Sequence, residues 1–118
     1  MRIIDPKMGK LMDKALKLGD NLFNLDDIQE CLKNGKMQGH VEGDTWVITQ
    51  VHEWPRRKSV NILYVVGSLG NALAIEDKLI DWAKSIDADL ITTVAREGWG
   101  KFVTPGWKKI GTLYSKDI

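Results

Sequence analysis

Val60-Asn61-Ile62-Leu63-Tyr64-Val65-Val66, followed by Gly67-Ser68-Leu69-Gly70-Asn71, is the stretch on which the fold turns. Seven largely apolar residues, β-branched at Val60, Ile62, Val65 and Val66 and closed by a glycine, read as a strand. Beyond Ala72 comes the clearest amphipathic pattern in the chain. Ile75, Leu79, Trp82, Ala83 and Ile86 share one helical face, while Glu76, Asp77, Lys78, Asp81 and Lys84 fall largely elsewhere. Asp87-Ala88-Asp89 is a short connection, and residues 90–95 form a second β-branched run. A strand, a helix and a strand joined this tightly predict a right-handed crossover between parallel strands.

Upstream, residues 37–41 and 45–53 read as two more strands, separated by the turn signal Glu42-Gly43-Asp44. The second has Trp46, Ile48 and Gln50 on one face and Val47, Thr49 and Val51 on the other. Trp54-Pro55-Arg56-Arg57-Lys58-Ser59 is a basic turn into the 60–66 strand, so the three strands predict an antiparallel meander. Before them lie two helices. Met8, Leu11, Met12, Ala15 and Leu18 recur at helical spacing with Gly19 as a stop. Residues 25–33 follow Asn24 as N-cap, with Asp26 and Asp27 in the first turn and Gly35 past the end. Downstream, residues 96–103 suggest a short helix weakened by Gly98 and Gly100, Pro105-Gly106 ends it, and residues 107–114 read as a last strand.

The 118 residues suit one α+β domain, 1–118, with a core at about 37–114 and N-terminal helices at about 7–34. A net charge of +1 gives no bulk attraction to nucleic acid or to an anionic membrane. One cysteine, Cys31, excludes an internal disulfide and fits a reducing compartment. No run approaches the roughly 18 apolar residues of a membrane span, and no apolar signal core follows Met1. The expectation is a cytoplasmic product. His40 has no partner at metal-ligand spacing, so no metal is expected. Five tryptophans (Trp46, Trp54, Trp82, Trp99 and Trp107) either fill the core or line a cleft or a subunit interface.

The order of elements resembles the GNAT superfamily of acyl-CoA-dependent N-acyltransferases: two helices, three strands, helix, strand, short helix, strand. Residues 60–66 with Gly67-Ser68-Leu69-Gly70-Asn71 stand where that family has its central strand and pyrophosphate loop. Residues 97–108 stand where it has a short helix ending in a glycine–aromatic pair. The sequence is similar above all to small GNAT-like proteins of bacteriophages and prophages, in which an arginine, a glycine and a tryptophan precede the last strand, as Arg96, Gly98 and Trp99 do here. Two departures stand out. The loop 67–71 lacks a basic residue, and Lys101 and Phe102 stand where the family often has a tyrosine as general acid.

The resemblance implies a mixed sheet, with the antiparallel meander followed by β-α-β-α-β around a parallel central pair. It implies acetyl-CoA or another acyl-CoA as co-substrate and an amine acceptor. The cofactor would contact Tyr64, Val65, Val66, Gly67, Ser68, Leu69, Gly70, Asn71 and Ala72, with Trp99 and Phe102 beyond. Backbone N–H groups at a helix start attract phosphate, although the same residues also make a plain capped turn. By residue type, His52, Glu53 and Glu97 are the candidate bases, and Tyr64 or Tyr114 the candidate acid. Arg56-Arg57-Lys58 is a solvated hairpin tip or a phosphate contact. The alternative is a catalytically silent GNAT-like phage protein in the virion or host cytoplasm. It would work by binding a protein partner or its own copies through a Trp-rich surface.

Overall fold

The computed structural model describes residues 6–18, 21–67, 70, 72–94 and 106–118. Its elements are α1 (Pro6–Leu18), α2 (Leu25–Asn34), β1 (Gln38–Glu42), β2 (Thr45–Glu53), β3 (Lys58–Val66), α3 (Ala72–Ser85) and β4 (Leu90–Thr93). They form one four-stranded sheet in the order β1-β2-β3-β4. The first three strands pair antiparallel and β3 pairs parallel with β4.

Local chemistry explains the ends of α2. Asn24 Oδ1 accepts from the Asp27 amide at 2.8 Å, and Asp27 Oδ2 accepts from the Asn24 amide at 2.9 Å. This capping box satisfies two amides that the helix cannot. Gly35, at φ 82°, ends the helix in the left-handed conformation that glycine adopts without penalty.

The sheet is covered on both faces. On one, Met12 and Leu16 of α1 and Ile28 and Leu32 of α2 pack with Met37, Ile48 and Val66. On the other, Ile75 and Leu79 of α3 pack on Val47, with Ile62, Val65 and Ile91 around them. β2 therefore sends Trp46 and Ile48 to the α1–α2 side and Val47 to the α3 side, as a period of two requires. The core is built from aliphatic and methionine side chains. Trp46 is half-buried against it, Trp82 and Trp107 are also half-buried, and Trp54 is exposed, so of the two readings of the tryptophans the core-filling one suits Trp46 and not Trp54. Trp99 lies outside the described residues.

Two further expectations change. β4 stops at Thr93, and Val94 is exposed. The last strand foreseen at 107–114 does not form, and residues 107–118 pair with no strand. Trp107 alone is tethered, its indole Nε1 donating to Glu76 Oε1 of α3 at 2.8 Å. The expected short helix at 96–103 lies outside the described residues. Among the described residues, no helix is long and apolar enough to cross a membrane.

Candidate functional site

β3 is nine residues long and β4 only four. Their pairing runs from Ser59↔Leu90 to Ile62↔Thr93 and stops there. Residues 63–66 of β3 continue with no β4 partner among the described residues. At this point the register against β2 also slips: Thr49 faces Ile62 and Ile48 faces Tyr64, which leaves Leu63 as the extra residue of a β-bulge. The bulge breaks the alternation, so Leu63 and Tyr64 both pack toward the α1–α2 cluster. A bulge re-aims the side chains of its strand, and pairing with β2 resumes at Ile48↔Tyr64 and runs to Trp46↔Val66. Beyond Ile62, about 13 Å of β3 keeps its pairing to β2 and has no partner on its β4-facing side among the described residues.

α3 begins at Ala72, a few residues beyond β3, so chain connectivity brings its N-terminus near this end of β3. Its first turn carries no acidic side chain. Gly67 sits between strand and helix at φ 101°, and a Cβ at this position would collide with the Asp44 carbonyl in the β1–β2 turn. That glycine is therefore required by the protein's own packing. Gly70 is exposed just before α3. Ser68, Leu69 and Asn71, along with Glu97, Trp99 and Phe102, lie outside the described residues. Ala72 is described by its backbone alone.

Tyr64 lies on β3 just beyond the bulge and packs against the α1–α2 cluster. Burial pushes its phenol above the ordinary tyrosine value, so it stays protonated at neutral pH and can donate a proton but not take one. His52 and Glu53 sit at the far end of β2, paired with Ser59 and Lys58 at the start of β3. They are separated from the bulge by about 13 Å of strand. That end is tied together structurally. Lys58 Nζ donates to the Ile86 carbonyl at 2.7 Å and lies 3.7 Å from Glu53 Oε1, and the Lys58 amide donates to Asp89 Oδ2. The His52 ring lies 5.6 Å from that of Trp54, whose indole donates to Ser59 Oγ. Arg56 and Arg57 are exposed at this same end, away from the start of α3. Tyr114 is exposed on the unpaired C-terminal segment.

Sequence reasoning missed one pair. Thr92 Oγ1 of β4 donates to Asn61 Oδ1 of β3 at 3.0 Å, just below the point where the strands part. Asn61 is the only amide side chain in the 60–66 run, which was the available signal. No group of three or more His, Cys, Asp or Glu side chains fit to hold a metal occurs among the described residues.

No family model matches the chain, and no curated protein does. Solved structures do match it. A Bacillus halodurans protein solved as a tetramutant is 12% identical with a TM-score of 0.63, covering 95% of this chain and 88% of its own. A protein described as a probable acetyltransferase is 8% identical with a TM-score of 0.63, covering 94% of this chain and 92% of its own. The ribosomal-protein-alanine N-acetyltransferase of Brucella melitensis biovar Abortus is 14% identical with a TM-score of 0.52, covering 92% and 94%. At such identities the likeness is one of fold: the chain shares an α+β arrangement with these proteins.

Proposed function

We propose that the chain is a GNAT-like acyltransferase domain that takes an acyl-CoA along the β4-facing side of residues 63–66. The observation that carries this reading is the sequence of three features along the chain: the Leu63 bulge, the end of described β3–β4 pairing after Ile62↔Thr93, and the start of α3, whose first turn has no acidic side chain. Unpaired strand backbone can pair with the amides of a pantetheine arm in the manner of an added strand. The N–H groups at the start of α3, with Gly70 beside them, suit a pyrophosphate without needing a basic side chain. An acyl-CoA bound there would supply an activated thioester. Tyr64 holds a proton on the α1–α2 side of β3 and suits the role of donor to a departing thiolate. Melting with and without acetyl-CoA tests this. Ligand at 100 times its dissociation constant adds about 2.7 kcal/mol, which for a chain of this size raises Tm by about 10 °C. An unchanged Tm at millimolar acetyl-CoA would remove the reading.

One observation favours a second reading, in which the domain binds without turnover. His52 and Glu53, the foreseen bases among the described residues, lie at the other end of β2 from the Leu63 bulge. Release of free thiol from acetyl-CoA in the presence of a panel of amines separates the two. A ligand-dependent Tm shift with no thiol release selects binding alone.

A further inference from the structure

The turn between β2 and β3 holds a group of side chains that acyl-CoA binding leaves unused. Trp54 is 60% exposed there, although a tryptophan stabilises most when buried. Its indole is nevertheless held in place. Nε1 donates to Oγ of the buried Ser59 at 2.9 Å, and the ring lies 5.6 Å from that of His52 at an interplanar angle of 31°. The Trp54 amide donates to the Arg57 carbonyl at 2.8 Å and closes the turn. A ring pinned before its ligand arrives loses little conformational freedom on binding.

Arg56 and Arg57 are exposed in the same turn. Arg57 also lines a groove of about 500 Å³, together with Lys84 of α3 and with Trp107 and Lys108 of the C-terminal segment. Positive charge therefore continues from the turn along the groove. Among the described residues, none of Arg56, Arg57, Lys84 and Lys108 forms an ion pair. Three nearby carboxylates are engaged elsewhere. Glu53 lies 3.7 Å from Lys58 Nζ, Asp89 accepts from the Lys58 amide, and Glu76 accepts from the Trp107 indole. Against the four cations stands Asp87, exposed in the connection between α3 and β4. The chain's net charge of +1 conceals this local excess.

We propose that this turn and the basic strip beside it bind single-stranded nucleic acid. Trp54 stacks on a base, and Arg56, Arg57, Lys84 and Lys108 contact phosphates. An exposed aromatic ring beside a basic track is the arrangement that holds single strands, because every base has a face to stack and every nucleotide a charge. A single strand presents unstacked bases to such a ring, whereas a duplex keeps them paired inside. Arginine suits the contact, since its planar fork matches phosphate oxygens. Lys58 takes no part, its ammonium being turned to the Ile86 carbonyl. The turn lies at the opposite end of β3 from Val66 and the start of α3, so this site is separate from the one proposed for acyl-CoA.

Fluorescence anisotropy of labelled oligothymidylate and oligouridylate, each about 12 nucleotides long, tests this by titration with the intact chain at low salt. Binding of either strand is the expected result, and the tighter one tells DNA from RNA. The log of the affinity should fall against the log of salt with a slope of about −2 to −3, as three or four phosphate contacts require. Trp54→Ala should weaken binding at least about fivefold through the lost stacking. The double variant R56Q/R57Q should weaken it at least about tenfold. Both arginines are exposed, so its circular dichroism should match the native chain, and it decides the matter if loss of the Ser59 hydrogen bond unfolds Trp54→Ala. No binding of either strand overturns the proposal. So does equal binding of a duplex of the same length, or unchanged binding by R56Q/R57Q. Displacement of the strand by acetyl-CoA also overturns it, by placing the strand in the other site. The direct titrations read the same whether or not acyl-CoA binds.

Discussion

At the scale of single residues, Gly67 carries a load that comes from within the protein. Its φ of 101° and the Asp44 carbonyl facing its missing Cβ leave no room for a side chain. Gly67→Ala is expected to cost at least about 1–3 kcal/mol, read as a lower urea midpoint with an unchanged slope. The partner that forbids the side chain is 23 positions away in the chain, so its motif alone suggests a ligand-approach glycine and conceals the steric reason. His40 is the second case. It is buried on β1, its Nε2 2.9 Å from Thr49 Oγ1 and its ring 4.7 Å from that of Trp82. Thr49 Oγ1 donates onward to Gln38 Oε1, which leaves it to accept from the imidazole. Burial, and then the Lys78 charge, lower the His40 pKa from 6.5. The unfolded chain thus binds the proton more readily, and stability falls as pH drops below about 6.5 toward the folded value. Between pH 7 and 5.5 the Tm of the native chain should decline, and that of His40→Gln should stay nearly flat.

At the scale of elements, what the sequence made legible was what local chemistry decides. Asn24, Asp27 and Gly35 mark both ends of α2 because a cap is made within a few residues. Ile75, Leu79 and Ala83 mark the buried face of α3 because helical period is a local property. The bulge at Leu63 was not legible, because it is a property of the register between β2 and β3 and leaves no mark in either strand alone. The missing last strand was misread for a related reason. Residues 107–114 include the strand-favouring Trp107, Ile110, Thr112 and Tyr114, but such a composition shows only that a segment suits a sheet, not that a sheet edge meets it. The start of α3 allows a test at this scale. Gly70→Asp puts a carboxylate where phosphate is proposed to bind, and a negative charge at a helix start does not harm the helix itself. The variant should lose at least about tenfold in acetyl-CoA affinity by calorimetry, with the Tm of the free protein unchanged. Equal affinity would remove α3 from the site.

At the scale of the whole molecule, the order of elements was enough to foresee a meander, a crossover and a parallel pair. For the candidate site the sequence made residue types legible and their placement not. Tyr64 lies on β3 beyond the bulge and Gly70 just before α3, whereas His52 and Glu53, chosen by residue type at a strand end, are held at the opposite end of the sheet by the antiparallel course of β2 and β3. Residue type identifies groups able to do chemistry, but topology decides whether they meet. The central claim is that the β4-facing side of residues 63–66 takes a ligand, and amide hydrogen exchange across β3 tests it most directly. Without ligand, those amides of residues 63–66 that face β4 should exchange much faster than the paired amides of residues 59–62, and saturating acetyl-CoA should slow them selectively. Equal protection along all of β3 in the free protein, or no change on adding acetyl-CoA, would contradict it.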